Sequence, residues 1–302
     1  DQNLDMENTF HYTNTMVGVH TLPQLPSPSR LTELRHLCHA PQSHASAPAF
    51  PTNLGLDKDL PESGLARGKV HEWLGVLPPE SSSPPTKEKT WSPPLSLLIH
   101  LAHSALAQAD NTQARVVWIA RPAASGFSVQ PYSPALGARP SPKPSAGPGA
   151  DPETNLVERD LIASSLFVSA SSPAQRLWAT DLALRSRAAI AVIADASGFD
   201  LSATRRLQLA AEASGVLCLL TRPAHEQSVL SASTTRWLVR TCPSPTHTRR
   251  WTVALLRCKG VQPAPKAPRL WTLERDHATR AFAVVPNLRD RPHQTQPLRL
   301  TG

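Results

Sequence analysis

Apolar residues in this chain come in short blocks of recognisable period, separated by long polar and proline-rich stretches. Ala189-Ile190-Ala191-Val192-Ile193-Ala194 and Val216-Leu217-Cys218-Leu219-Leu220 are unbroken apolar runs, and Arg115-Val116-Val117-Trp118-Ile119-Ala120 is nearly one. A strand buried on both faces needs such a run, because none of its side chains meets water. Lys69–Leu74, preceded by Gly68, and Leu166–Ser169 read as further strands. Leu95, Leu98, Ile99, Ala102 and Leu106 recur at helical spacing after Pro93-Pro94 and predict a helix over about 94–108. A second helix is expected over Pro173–Arg187, with Leu177, Asp181 and Leu184 down one stripe and Trp178 and Leu182 beside it. A third runs over Leu201–Ser214, with Ser202 as N-cap and Gly215 closing it. Strands alternating with helices at this rhythm imply a parallel sheet with helices on its faces. Thr234–Arg240 and Arg250–Arg257 then predict an antiparallel pair at the sheet edge, with Trp237 and Trp251 packing across strands. The expected fold is α/β with an antiparallel strand extension.

The blocks without period set the domain boundaries. Residues 1–48 read as a leader carrying a short helix at Ser29–Leu37 and a Pro/Ser/Ala linker from Ala40 to Pro48. Residues 49–275 form the expected core, with flexible inserts at 77–93 and 138–155, and 276–302 form a basic tail. The 31 prolines in 302 residues are concentrated in these inserts and tails. No apolar run approaches the ~18 residues of a spanning helix, and Asp1–Phe10 is polar and acidic, unlike a secretory signal. Cys38, Cys218, Cys242 and Cys258 form no Cys-x-x-Cys pair, so no zinc knuckle or disulfide framework is expected. A cytoplasmic, reducing location and no membrane contact are expected.

Charge changes the picture only when it is divided. The net charge is +8, yet residues 236–302 hold 13 Lys/Arg against 3 Asp/Glu, so the rest of the chain is slightly acidic. A basic stretch of this kind attracts polyanions with a strong salt dependence. DNA is therefore a candidate partner, with Trp271 and Phe282 as candidate stacking residues.

Ligands of parallel α/β sheets bind at the carboxyl ends of the strands. A phosphate loop would follow the first strand, and Lys89-Thr90 has the terminal chemistry of one. But no glycine lies between Gly75 and Gly126, and prolines remove donors that a phosphate nest needs. Asp195, at the tip of the most apolar strand, sits where an aspartate would hold Mg²⁺ through water. The strand expected to carry a general base ends in Arg121-Pro122 instead, and arginine takes no proton at neutral pH. His100 and His103 stand three apart on the first helix without a carboxylate to complete a metal site. No catalytic residue is expected. Lys89, Thr90 and Asp195 are the weak nucleotide-binding candidates, and ATP with Mg²⁺ is the only cofactor they would serve.

Several segments together resemble a known family. Leu56-Asp57-Lys58-Asp59-Leu60 and Gly68-Lys69-Val70-His71-Glu72 resemble the entry segment of RecA-like proteins. Leu177–Ser186, Thr204-Arg205-Arg206-Leu207-Gln208-Leu209-Ala210-Ala211-Glu212, Thr235-Arg236-Trp237 and Trp251–Gly260 narrow the resemblance to the ImuA family over roughly residues 50–275. Members of that family are RecA-like accessory proteins of the bacterial translesion mutasome and are sometimes labelled SulA-like. The resemblance implies a role in SOS-induced, error-prone DNA synthesis. Its implied partners are an ImuB-type homologue of Y-family polymerases, an error-prone C-family polymerase, and RecA or DNA. Arg205, Arg206, Arg236, Arg249 and Arg250 are the candidate contacts to partner or DNA. On a helix, adjacent arginines point about 100° apart, so one of Arg205 and Arg206 is expected to face outward, and an ion pair with Glu212 or Asp200 is the structural alternative. A non-hydrolytic adaptor is the first functional expectation, an ATPase the second and a division inhibitor the third.

Overall fold

The computed structural model describes residues 49–76, 91–122, 160–244, 248–260, 269–276 and 281–285, all within the unit Gln42–Gly302. The leader with its expected helix, most of the 77–93 insert, the whole 138–155 insert, Lys89 and Thr90 lie outside the described residues. The strands are β1 Val70–Val76, β2 Arg115–Ala120, β3 Ser165–Ser169, β4 Ala189–Asp195, β5 Leu217–Pro223, β6 Thr235–Cys242, β7 Arg249–Cys258, β8 Arg269–Arg275 and β9 Phe282–Val285. The α-helices are α1 Leu95–Ala107, α2 Pro173–Arg185 and α3 Leu201–Ser214.

All nine strands join one sheet in the order β3-β2-β4-β5-β1-β6-β7-β8-β9. The first six in that order pair in parallel, and β7 to β9 add antiparallel strands to β6. The α/β architecture with an antiparallel extension is thus present, with one difference. The strand at Thr235–Cys242 is itself parallel to β1, so the antiparallel part begins only at β7.

Alternation along the central strands sorts side chains into two cores. Val116, Trp118, Ala191, Ile193, Leu217 and Leu219 pack with α1, while Val117, Ile119, Val192, Ala194, Cys218 and Leu220 pack with α2 and α3. Two-sided burial is why these strands read as continuous apolar runs. The helices start and stop on local signals. Ser172 and Gln175 form a capping box at α2. Asp200 rather than Ser202 caps α3, its side chain accepting from the Ala203 N–H at 2.7 Å, and Gly215 ends that helix in the left-handed region.

The motif from Thr204 to Glu212 has a packing explanation. Gln208 accepts from the Val70 N–H, Glu212 pairs with Lys69 at 3.0 Å, and Thr204 accepts from the Ala232 N–H. Gly68 has positive φ, and a Cβ there would stand 3.1 Å from the Ala211 carbonyl oxygen, so glycine lets α3 close on the start of β1.

The entry segment lies on the α1 side. Phe50 and Leu65 exchange two backbone hydrogen bonds, and Asp57 accepts from the Thr52 and Asn53 N–H groups. Asp59 accepts from the Trp271 indole. Trp73 stacks on Trp237 at 5.2 Å, and Trp237 meets Trp271 at 6.0 Å. Trp237 and Trp251 therefore serve cross-strand packing as expected. Trp271 and Phe282 are also buried, in β8 and β9, so they are core residues rather than stacking platforms for bases. The ordered sheet runs past residue 275 to Val285, because β9 supplies Phe282 to the α1-side core.

Two buried histidines join this core. His71 lies between the Ala66 carbonyl, 3.0 Å from Nε2, and Thr235 Oγ1, 2.8 Å from Nδ1. Trp237 Nε1 donates to the same hydroxyl, so that hydroxyl gives its proton to Nδ1 and the ring donates from Nε2. His100 donates from Nε2 to the Thr52 carbonyl. Burial pushes both rings down from 6.5 to about 4.

Two outcomes follow. Trp237→Ala should destabilise the protein by about 3–5 kcal/mol, read as a lower urea midpoint, whereas the exposed Trp178→Ala should change it by under ~0.5 kcal/mol. The histidines stay neutral in the folded chain at pH values where the unfolded chain protonates them. Stability should be complete above pH 6.5 and fall as the pH drops towards about 4 by on the order of 3 kcal/mol per ring. His100→Gln should flatten that loss in urea titrations run at stepped pH.

Candidate functional site

The carboxyl ends of the parallel strands are where an α/β sheet presents chemistry. Charged residues stand there at the ends of three apolar strands: Arg121 after β2, Asp195 closing β4 and Arg222 near the end of β5. None of them points into open solvent. Asp195 has no exposed surface; its Oδ2 accepts from Arg121 Nε at 2.7 Å and its Oδ1 from the Ser197 N–H and hydroxyl. Arg176, from the first turn of α2, donates to the carbonyls of Asp195, Ser171 and Ser197.

A second carboxylate sits deeper. Glu72 lies fully buried on β1. Its Oε1 accepts from Arg222 Nη1 and from the Ser231 hydroxyl, and its Oε2 lies 2.7 Å from Arg236 Nε. Arg222 reaches on to Glu226 and to the Phe199 carbonyl, and Glu226 accepts from the Gly198 N–H. Arg236 also donates to the carbonyls of Gln227, Val229 and Glu226. Arg257 and Lys259 hold Ser231, Ala232 and Ser233 by their carbonyls. Five of the six oxygens of Asp195, Glu72 and Glu226 accept hydrogen bonds within the protein, and the sixth, Glu72 Oε2, meets Arg236 only as an ion pair, so these strands are tied to one another and to the crossover at 224–234.

The start of α1 is closed in a different way. Pro93 and Pro94 have no N–H, Leu95 N–H donates to the Pro93 carbonyl, and Leu97 and Leu98 N–H donate to Pro94. The donors that would face an anion at a helix N-terminus are therefore largely absent or engaged. Gly75, near the end of β1, lies against the returning chain. A Cβ there would be 1.8 Å from the Ser92 carbonyl oxygen.

Beside this start lies a groove of about 520 Å³ between Ser92–Ser96 and the β6–β7 hairpin. Its lining is mixed: Pro93, Pro94, Leu95, Val239 and Trp251 stand beside Ser92, Ser96, Thr241 and Ser244, with Arg249 and Arg250 among them. Arg249 is exposed, and Arg250 is paired with Glu274. The exposed Arg249 is the one guanidinium at this groove that is not paired with a carboxylate among the described residues.

The expected contact residues separate into different environments. Arg249 and Arg250 share the groove, while Arg205 and Arg206 lie on α3. Arg205 is exposed, and Arg206 is half-exposed and donates to Asp181 of α2 at 2.9 Å. The structural partner of Arg206 is thus neither Glu212 nor Asp200: the first is held by Lys69 and the second caps α3. Arg236 is interior, 7% exposed, and its charge is committed to Glu72, so it offers no surface to a partner. Arg121, Arg176 and Arg222 form the tip cluster that sequence reading missed. Their signal was a charged residue directly after an apolar strand or within the first turn of a capped helix.

Among the described residues no group of three His, Cys, Asp or Glu is placed to hold a metal ion. No helix among them is long and apolar enough to cross a membrane. No family model matches the chain, and no curated protein matches it.

Asp195→Asn should cost about 1–3 kcal/mol, because the fully buried carboxylate that accepts from Arg121 and Ser197 becomes neutral while Arg121 itself keeps partial access to water. Glu274→Gln, at a solvent-screened surface pair, should lower the urea midpoint far less. Paired urea melts of the two variants check the contrast.

Proposed function

We propose that this chain is a non-hydrolytic, RecA-like accessory protein of error-prone translesion DNA synthesis, an adaptor that works through its contacts in the cytoplasm. Its proposed partner is an ImuB-type polymerase-like protein, in company with an error-prone C-family polymerase. The basic groove beside Arg249 is the proposed point of contact with DNA. The observation that carries the reading is the commitment of the strand tips. Asp195, the residue that would hold Mg²⁺, is buried and bonded through both oxygens. In the first turn of α1 the Leu95, Leu97 and Leu98 N–H groups donate to Pro93 and Pro94. A nucleotide site needs both features open; a scaffold gains from having both closed. The sequence resemblance through Thr204–Glu212 and Thr235-Arg236-Trp237 supports the assignment to translesion synthesis.

The test pairs two titrations on the folded full chain. Isothermal titration with the ImuB-type protein of the same genome should give a stoichiometric complex with no requirement for ATP. A fluorescent ATP analogue with Mg²⁺ should show no saturable binding, and Lys89→Ala should change nothing. Saturable micromolar binding lost in Lys89→Ala and Asp195→Asn would revive the ATPase. Absence of the protein complex, with filamentous growth on overexpression in undamaged cells, would favour a division inhibitor.

A further inference from the structure

We propose that the solvent face of α2 and α3 docks an acidic, amphipathic segment of a partner protein, with Trp178 as its apolar anchor and Arg205 and Arg206 as its charged rim. The inference rests on the adaptor reading for expecting a protein partner at all, and adds where and by what chemistry that partner binds.

A surface helix normally hides its apolar side and shows a polar one. α2 does not. Arg176, Thr180 and Leu184 face inward, yet Trp178 and Leu182, one turn apart on the opposite side, are 62% and 52% exposed. α3 repeats the pattern: Leu201, Arg205 and Leu209 fall one turn apart on its exposed side, while Thr204, Leu207 and Ala211 are buried. The two exposed stripes are neighbours, since Arg206 of α3 pairs with Asp181 of α2. Four large apolar side chains left in water on adjacent helices mark an interaction surface, and Trp and Arg are the residues that most often carry binding energy.

The charges name the occupant. Arg185, Arg205 and Arg206 all lie on this face, and the acid set between the helices is Asp181. Asp181 is nearly buried and serves both Arg185 and Arg206 through the same oxygen. Burial alone would raise its carboxyl, but the hydrogen bonds from Arg206 and Arg185 outweigh that and hold it below the ordinary range. It remains ionised and offsets one guanidinium of the three, and Glu212 of α3, which also attracts Arg205, is itself paired with Lys69. The face is therefore apolar in its middle and positive at its rim. Its complement is a helix with leucine or phenylalanine at i, i+4 and i+7, and glutamate or aspartate beside them. Nucleic acid would use the arginines but leave Trp178, Leu182 and Leu209 without partners.

The probe is a fluorescein-labelled 18-residue helical peptide with leucines at that spacing and glutamates on the flanks, titrated into the full chain. Saturable binding is expected. Trp178→Ala and Arg205→Glu should each weaken it by about tenfold or more, with unchanged thermal unfolding because both side chains are exposed. A peptide with lysine in place of glutamate should bind far more weakly. Equal binding of the lysine peptide, unchanged affinity in both variants, or no binding to the folded chain would overturn the proposal. So would displacement of the peptide by duplex DNA at the same site, or a dimer in sedimentation that Trp178→Ala dissolves. The Trp178→Ala/Arg205→Glu double variant, titrated with the polymerase-like protein, separates the two readings. Capture equal to wild type sinks this surface and leaves the adaptor. Peptide binding without any capture sinks the adaptor and leaves the surface.

Discussion

The ion pairs around Glu72 are the constraint on which the rest of the sheet depends. A carboxylate fully buried in the central strand survives only if its charge is met, and Arg222 from β5 and Arg236 from β6 meet it from both sides. Such a set adds little net stability over a well-packed apolar interior, but losing one member leaves an uncompensated charge away from water. Its members therefore stand together. Through Glu226 and the Gly198 N–H the same chain of contacts reaches the loop after β4, and Asp195 carries it to Arg121 beyond β2. A polar lattice thus crosses five parallel strands, from the carboxyl ends of β2, β4 and β5 to Glu72 in the first half of β1 and Arg236 at the start of β6.

That lattice decides what kind of surface the molecule can offer. A sheet of this topology ordinarily leaves its carboxyl edge open for a ligand. Here the carboxylates are internally paired, the helix start is built from two prolines, and the crossover at 224–234 is held by Arg236, Arg257 and Lys259. Among the described residues, chemistry facing water lies in the mixed groove beside Arg249 and on the apolar and basic face of α2 and α3. The first is the proposed contact with DNA and the second the proposed contact with a partner protein.

Much of the fold was legible because burial on two faces leaves a plain mark. Arg115–Ala120 and Leu201–Ser214 came out at the residues that periodicity indicated. β8 and β9 did not. Arg269-Leu270-Trp271-Thr272-Leu273-Glu274-Arg275 alternates properly, but it sits among prolines and arginines inside the expected core and is not marked as a strand by the sequence. Only pairing with β7 makes it a strand, a long-range contact that no local window contains. The N-cap of α3 was displaced for a smaller reason, since Asp200 and Ser202 are both good caps and the backbone turn after Phe199 favours the first.

By itself, the sequence determined where the helices and the central parallel strands form, that those strands are buried on both faces, and that a glycine-free segment follows the first strand. These are local properties, set by period, by the conformational limits of proline and glycine, and by side-chain charge. Tertiary structure alone decided which charges face water. Arg205, Arg206 and Arg236 look alike in the chain, yet one is exposed, one is half-exposed and paired with Asp181, and one is buried against Glu72. The difference arises because an arginine's environment is fixed by the carboxylates that other elements bring to it, and those lie 25 and 164 positions away in the chain.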